Sequence, residues 1–81
     1  MSKDALFAEL TGILQEMFEI EPSKISLQSN LYTDLDIDSI DAVDLVVRLK
    51  ELTGKRLQPE VFKSVRTVQD VVDALANLLA E

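Results

Sequence analysis

Apolar side chains recur at helical spacing in three segments of this sequence, and this periodicity constrains the fold more than any other feature. The first segment follows an i, i+3, i+4, i+7 stripe through Leu6, Phe7, Leu10, Ile13, Leu14, Met17 and Phe18. The middle segment places apolar residues on one helix face at Ala42, Val46 and Leu49. The last segment repeats the stripe at Val68, Val71, Val72, Leu75, Leu78 and Leu79. No segment alternates as a strand would, so the sequence predicts an all-α fold.

Local capping signals predict where the second helix begins and ends. Asp38 precedes Asp41 by three residues, a spacing typical of an N-cap followed by an acidic residue in the first helical turn. Gly54 suits the left-handed conformation in which many helices end. We therefore expect a first helix over about residues 3–18 and a second over about residues 39–53.

The rest of the chain predicts one short helix, one further long helix and a long loop. Pro59 suits the first position of the short helix, and Thr67 with Asp70 opens the last one. Gly12, inside the first helix, would be explained by close packing of another helix. Residues 19–38 lack a helical period but carry isolated apolar residues that would anchor an ordered loop: Ile25, Leu27, Leu31, Leu35 and Ile37. The predicted architecture is a four-helix bundle of three main helices and one short one, formed as a single domain by residues 1–81.

Acidic residues outnumber basic residues by 15 to 8 and give a net charge of −7. Residues 1–44 contain ten acids and two bases, whereas residues 45–81 contain six bases and five acids. An acidic surface repels nucleic-acid phosphates, and a chain with three Phe, one Tyr and no Trp offers little base stacking. We expect no nucleic-acid partner, and a basic surface on whatever protein binds the acidic half.

The sequence contains no cysteine and no histidine. Their absence excludes disulfides and thiolate nucleophiles, and it also removes the commonest general base and the commonest metal ligand. We therefore predict that the chain is not an enzyme. Its first residues lack the apolar core of a signal peptide, and no apolar run is long enough to cross a bilayer. The expected location is the cytoplasm, without stable membrane insertion.

Three aspartates ahead of the second helix follow the D-x-D-x-D opening of a calcium loop: Asp34, Asp36 and Asp38. In that motif the sixth residue is Gly, for a sharp turn, and the twelfth is a bidentate Glu. Ser39 and Leu45 stand at these two positions here. The sequence therefore predicts no specific metal site.

The second helix carries a polar stripe on the face opposite its buried residues. The stripe follows helical spacing through Asp41, Asp44, Arg48 and Glu51. Ile40 and Val47 fit neither face and should flank the stripe at the edge of the core. These residues are either ordinary boundary residues of a small bundle or a docking face, in which carboxylates steer a basic partner and the apolar pair sets affinity.

Ser39 allows two interpretations. A serine beside an aspartate at a helix start is often a cap. A hydroxyl at a helix N-terminus also lies where backbone N–H groups and the helix dipole favour a phosphate. A nucleophilic hydrolase would need a base to take the hydroxyl proton, and only carboxylates lie nearby in the sequence. The functional interpretation is therefore a serine modified by another enzyme.

The segment LYTDLDIDSIDAVDLV, residues 31–46, resembles the attachment-site segment of acyl carrier proteins. The hallmark of that family is Asp-Ser-Leu at the start of the second helix, and Asp38-Ser39-Ile40 stands there in this chain. The resemblance covers essentially the whole chain, including the order of the four helices, the long first loop and the TVQD opening of the last helix at residues 67–70.

The resemblance implies that Ser39 accepts 4′-phosphopantetheine from coenzyme A through a phosphodiester made by a separate phosphopantetheinyl transferase. The thiol of that arm would hold acyl groups as thioesters and present them to acyl-transferring and ketoacyl-synthase-type enzymes of fatty acid, lipid or polyketide biosynthesis. The expected carrier is a stand-alone monomer without catalytic residues. The family pattern assigns partner recognition to Asp38, Ile40, Asp41, Asp44 and Val47.

The chain departs from the family pattern at several positions. Asp36 stands where the family often has Gly, and Ile40 replaces the usual Leu. General fatty-acid carriers tend to stay acidic after the second helix, whereas this chain has Arg48, Lys50, Lys55, Arg56, Lys63 and Arg66. We therefore expect a carrier for a specialised pathway. An aminoacyl or peptidyl carrier and an unmodified helical interaction module remain as alternatives.

Overall fold

Four α-helices and one short 3₁₀ turn form the fold in the computed structural model, which describes residues 2–80 except for the side chain of Pro59. The helices are α1 (Lys3–Phe18), α2 (Ser39–Thr53), α3 (Pro59–Lys63) and α4 (Val68–Ala80), and the 3₁₀ turn spans Pro22–Lys24. Residues 2–80 contain no β-strand, only an isolated antiparallel bridge between Asn30 and Thr67. The predicted all-α four-helix architecture with a long first loop is confirmed, while the 3₁₀ turn was not predicted.

The predicted capping signals of α2 are confirmed in detail. Asp38 Oδ1 accepts a hydrogen bond from the Asp41 N–H at 2.8 Å, and Asp41 Oδ2 accepts one from the Asp38 N–H at 3.4 Å. This reciprocal pair is a capping box, which satisfies backbone donors that a helix start otherwise leaves unpaired. At the other end Gly54 has a φ of 73°, a left-handed conformation that glycine adopts without steric cost.

Large aliphatic side chains from α1, α2, α4 and the long loop form the centre of the core. Ten of them are almost completely buried: Leu6, Leu10, Leu14, Leu31, Leu45, Leu49, Leu75, Val68, Val71 and Val72. The predicted burial of Leu49 and Leu75 is confirmed. Val46, predicted to be buried, is only partly buried and packs against the edge of this core. It differs from Leu49 because one side of Val46 faces a surface groove described below.

The long loop is ordered, as the sequence predicts, and it sets the position of the α2 N-terminus. Its apolar anchors Ile25, Leu31, Leu35 and Ile37 are buried, and Leu27 is partly buried. Backbone hydrogen bonds tie the loop to the start of α4, including Leu31 N–H to Arg66 O at 2.8 Å and Val68 N–H to Ser29 O at 3.0 Å. Ile37, immediately before the α2 cap, donates its N–H to Leu31 O at 2.9 Å.

The expectation of close helix packing at Gly12 is wrong. Gly12 lies on the exposed face of α1, and a Cβ atom added there would have no heavy atom of another element within 4 Å. The glycine therefore weakens the helix without allowing a close approach.

We expect Gly12→Ala to raise the free energy of unfolding by about 0.5–1 kcal/mol, because alanine loses less backbone entropy in a helix. Urea unfolding followed by circular dichroism measures the change. A decrease in stability would contradict the open environment of Gly12.

The start of α4 predicts a pH-dependent contribution to stability. Asp70 Oδ2 accepts hydrogen bonds from the backbone N–H groups of Arg66 at 3.0 Å and Thr67 at 3.1 Å. The bonds from Arg66 and Thr67 lower the pKa of Asp70 below its ordinary value of 3.8. Because the pKa is lower in the folded state, this carboxylate stabilises the fold above pH 3.8, and the contribution is lost as the pH falls through the lowered pKa.

Asp70→Asn should therefore be less stable than the wild type at pH 7, by roughly 0.5–1 kcal/mol, since a neutral acceptor binds backbone N–H groups more weakly. The difference should disappear at pH values well below 3.8, where Asp70 itself is protonated. Urea unfolding of both proteins between pH 7 and pH 2.5 measures it, and a difference independent of pH would contradict the assignment.

Candidate functional site

Ser39 is the first residue of α2, and its hydroxyl takes no part in holding the fold together. The side chain is exposed, and its Oγ makes no hydrogen bond within residues 2–80. The capping role that a serine often has at a helix start belongs here to Asp38. The structure therefore favours a chemically available Ser39 over a structural cap.

Two backbone donors next to this hydroxyl are also available. The N–H groups of Asp41 and Ala42 donate to Asp38, at 2.8 Å to Oδ1 and 2.9 Å to the carbonyl oxygen. The N–H groups of Ser39 and Ile40 have no acceptor within the described residues. Free N–H groups at a helix N-terminus are suited to a phosphate oxygen. The local geometry is therefore compatible with a phosphodiester on Ser39.

The predicted docking residues extend from Asp38, the N-cap of α2, to Val47 in the middle of that helix. Ile40 is 72% exposed and Val47 is 56% exposed, although both are aliphatic. Asp38 and Asp44 are exposed, and Asp41 is partly buried by its capping interaction. The predicted strip of carboxylates flanked by branched apolar side chains is therefore present on the surface.

Val43 belongs to this strip and was missed by the sequence reasoning. Its side chain is 63% exposed, one turn from Ile40 and from Val47. The signal was in the sequence, because Ile40, Val43 and Val47 follow the i, i+3, i+7 spacing of one helix face. Because these three branched side chains are exposed, they contribute little to the core. An exposed group of apolar side chains on one helix face is typical of an interaction surface.

Arg48 plays a different part in the polar stripe. Its guanidinium lies 3.1 Å from Glu51 on the same helix and 3.7 Å from Glu16 on α1. These ion pairs occupy the C-terminal half of the stripe. Asp44, in contrast, has no basic side chain within 4 Å among residues 2–80. The unpaired carboxylates therefore lie in the half of the stripe that is closer to Ser39.

An apolar groove of about 530 Å³ opens between α2 and α3, and Ser39 lies at its edge. Its volume is in the range of ligand sites. The residues around it are Tyr32, Ser39, Ala42, Val43, Val46, Val47, Lys50, Arg56, Leu57, Phe62 and Lys63. Sequence reasoning did not identify this groove, because Tyr32, Leu57 and Phe62 come from three separate segments and meet only in the folded chain.

A second cavity, of about 420 Å³, lies on the acidic side of the α2 N-terminus. Its acidic side chains are Glu19, Glu21, Asp34, Asp36 and Asp41. Within the part of the chain that the structure describes, no three carboxylates converge closely enough to hold a metal ion.

Asp36 has a φ of 55°, in the left-handed region. Aspartate tolerates this region better than most residues, but glycine adopts it most readily. This backbone conformation gives a physical reason why the related attachment sites often have Gly at this position, and it shows that Asp36 can fill the same structural role.

Fold and site together define a small helical protein that presents one exposed serine at a helix N-terminus, between a carboxylate strip and an apolar groove. Comparison with known proteins agrees with this class. The family model described as the phosphopantetheine attachment site matches residues 8–75. Acyl carrier protein 2 of Ralstonia nicotianae is 48% identical over 80 residues, which cover 99% of each chain.

Further similarity supports the same family. The acyl carrier protein of Coprothermobacter proteolyticus is 34% identical over 79 residues, covering 98% of this chain and 96% of the relative. The solved structure of the acyl carrier protein from Enterococcus faecalis matches with a TM-score of 0.79 at 26% identity, over 96% of this chain and 99% of the other. The chain belongs to the acyl carrier proteins of the phosphopantetheine-binding family.

Family membership decides the general activity. The protein is a carrier of acyl groups with phosphopantetheine as its cofactor, it is not a catalyst, and it interacts with biosynthetic enzymes. Acyl cargo is thereby favoured over the aminoacyl or peptidyl alternative, and a phosphopantetheine-bearing carrier over an unmodified interaction module. No helix within residues 2–80 has both the length and the apolar character needed to cross a membrane.

Proposed function

We propose that Ser39 is the residue that carries 4′-phosphopantetheine, as part of one carrier domain over residues 1–81. The observation that carries this proposal is the exposed Ser39 hydroxyl, which has no hydrogen-bond partner within residues 2–80. When bound, the arm supplies a thiol that holds acyl groups as thioesters. Attachment forms a bond between Ser39 Oγ and the phosphorus of the pantetheine phosphate, and the nucleotide half of coenzyme A leaves.

The residues around Ser39 have distinct parts in this attachment. The N–H groups of Ser39 and Ile40 are available to the phosphate oxygens, while Asp38 and Asp41 keep the helix start rigid through the capping box. The carboxylates next to Ser39, those of Asp38 and Asp41, already accept backbone N–H groups in the capping box, and the sequence contains no histidine. We therefore expect the phosphopantetheinyl transferase to supply the base for this step.

The test of the attachment site is a mass measurement. The protein is incubated with coenzyme A, magnesium and a broad-specificity phosphopantetheinyl transferase, and the modified peptide is then located. Addition of one phosphopantetheinyl group to the peptide that contains Ser39 is the expected result. Addition at another serine, or none with several transferases, would overturn the proposal.

The strip of Asp38, Ile40, Asp41, Asp44 and Val47, extended by Val43, is the proposed docking face for the transferase and for acyl-transferring and ketoacyl-synthase-type enzymes. Its carboxylates steer a basic partner surface towards Ser39, and its apolar residues are then covered in the complex. A face with a small apolar area and peripheral charge favours brief encounters, as a carrier that visits successive enzymes in the cytoplasm requires.

We expect Asp44→Lys to weaken binding of a partner enzyme by about tenfold at low salt, because the change replaces attraction with repulsion at an unpaired position. Surface plasmon resonance at two ionic strengths measures this loss, which should shrink as salt screens the charges. Glu9→Lys, the same change of charge at an exposed position of α1, is the control and should bind as the wild type does. Equal loss in both variants would contradict a localised docking face.

A specialised pathway is favoured by the unusual basic residues beyond α2. Lys50, Arg56 and Lys63 are exposed beside the groove, close to the face that partners would cover. They would repel part of a strongly basic partner surface and so select against enzymes adapted to a uniformly acidic carrier. Transfer rates with fatty-acid synthesis enzymes and with pathway-specific enzymes test this proposal. Equal efficiency with both sets would overturn it.

A further inference from the structure

The basic side chains around the apolar groove suggest what kind of acyl group the protein carries. Lys50 extends from α2, Arg56 from the segment after it and Lys63 from α3, so three separate elements each place one cation at the same groove. All three side chains are exposed, and none lies within 4 Å of a carboxylate among residues 2–80. In a chain with 15 acids and 8 bases, this unpaired local excess of positive charge is notable.

The interior of the groove is aliphatic and aromatic, in contrast to its basic edge. Val46, Leu57 and Phe62 contribute to its wall, and Ser39 lies at its border. A site with an apolar wall and cations at its edge is complementary to a molecule with an apolar body and a negatively charged end. An alkyl chain without a charged end would pack against the apolar wall but would leave the three cations without a partner.

We propose that the cargo of this carrier is an acyl chain with a carboxylate at the end distant from the thioester. The inference rests on the proposed attachment at Ser39, which lies at the groove, so that the flexible phosphopantetheine arm tethers the thioester within reach of it. The alkyl part of the chain then lies against the apolar wall, and the distal carboxylate lies among Lys50, Arg56 and Lys63. Because the protein as a whole has a net charge of −7, it would repel the carboxylate of the acyl chain without these three cations.

The test compares two cargoes of equal length on the full-length carrier. The transferase loads the protein from octanoyl-coenzyme A or from octanedioyl-coenzyme A, with release of the nucleotide half, and peptide mass mapping confirms loading at Ser39. Hydroxylamine then cleaves the thioester, and each rate is divided by the rate for the same thioester on free pantetheine. This ratio measures how far the carrier shelters each chain, independently of the intrinsic reactivity of the thioester.

Octanedioyl is expected to be sheltered about fivefold more than octanoyl, since one exposed ion pair contributes up to about 1 kcal/mol. The triple variant Lys50→Gln, Arg56→Gln, Lys63→Gln should lose this preference while still sheltering octanoyl. Lys24→Gln, which removes an exposed cation outside the groove, should keep it. High salt should weaken the preference in the wild type.

Three outcomes overturn the inference. Equal sheltering of the two chains would mean that the cations do not recognise the distal carboxylate. Equal loss of sheltering for both chains in the triple variant would mean that the cations act on the phosphodiester of the arm. Failure to load at Ser39 would overturn the proposed attachment and this inference together, whereas normal loading without a preference overturns only the inference about cargo.

Discussion

Ser39→Ala is expected to abolish attachment of phosphopantetheine completely while leaving the fold intact. The loss is complete because alanine has no oxygen with which to form the phosphodiester. The fold is unaffected because the Ser39 side chain is exposed, its hydroxyl has no hydrogen-bond partner within residues 2–80, and Asp38 provides the cap. A change of at most about 0.5 kcal/mol in the free energy of unfolding is expected for such a surface position.

Intact mass after incubation with coenzyme A and transferase measures the loading, and urea unfolding measures the stability. Ser23→Ala is the matched control, since Ser23 is also exposed and lies outside α2. The control should load fully. A loaded Ser39→Ala protein would show that another hydroxyl accepts the arm. An unloaded but strongly destabilised variant would show that Ser39 has a structural role that its free hydroxyl does not suggest.

Leu75→Ala is expected to lower the free energy of unfolding by about 2–5 kcal/mol. Leu75 is completely buried in α4, so its truncation removes apolar contacts and leaves a cavity inside the core. At about 0.05–0.15 kcal/mol per residue, a domain of this size has a total stability of about 4–12 kcal/mol, so this loss removes a large part of it. Leu49→Ala should behave in the same way, because Leu49 is only 1% exposed.

Val46→Ala should cost much less, about 1 kcal/mol, because Val46 is partly buried and already faces the groove. Urea midpoints with an unchanged m-value compare the variants. Leu75→Met is the volume-conserving control and should lose less than about 1.5 kcal/mol. A loss at Val46 equal to the loss at Leu75 would contradict the different environments of the two residues.

Local features of the structure were predictable from the sequence because they depend on neighbours along the chain. The bounds of α1 and α2 follow from apolar periodicity and from the caps at Asp38 and Gly54, which act within one helical turn. The exposure of Ile40 and Val47 was also predictable, since helical spacing alone places them beside Asp44 and away from the buried face.

Other predictions failed where the outcome depends on what a distant segment leaves uncovered. Val46 and Leu49 lie on the same side of α2 and have similar side chains, but only Leu49 is completely buried. The difference arises because α3 stands away from α2 and leaves the groove at Val46. Gly12 could not be assigned either, since a glycine in a helix indicates a close contact only if another element approaches it.

The sequence by itself thus determined the helices, the acidic strip and the position of Ser39, because capping, helical periodicity and charge are properties of residues a few positions apart. Only the tertiary structure decided that Val46 is partly exposed, and that Lys50, Arg56 and Lys63 surround one apolar groove. Lys50 lies in α2, Arg56 in the segment after it and Lys63 in α3. Their common site exists only because packing of the core places those elements together.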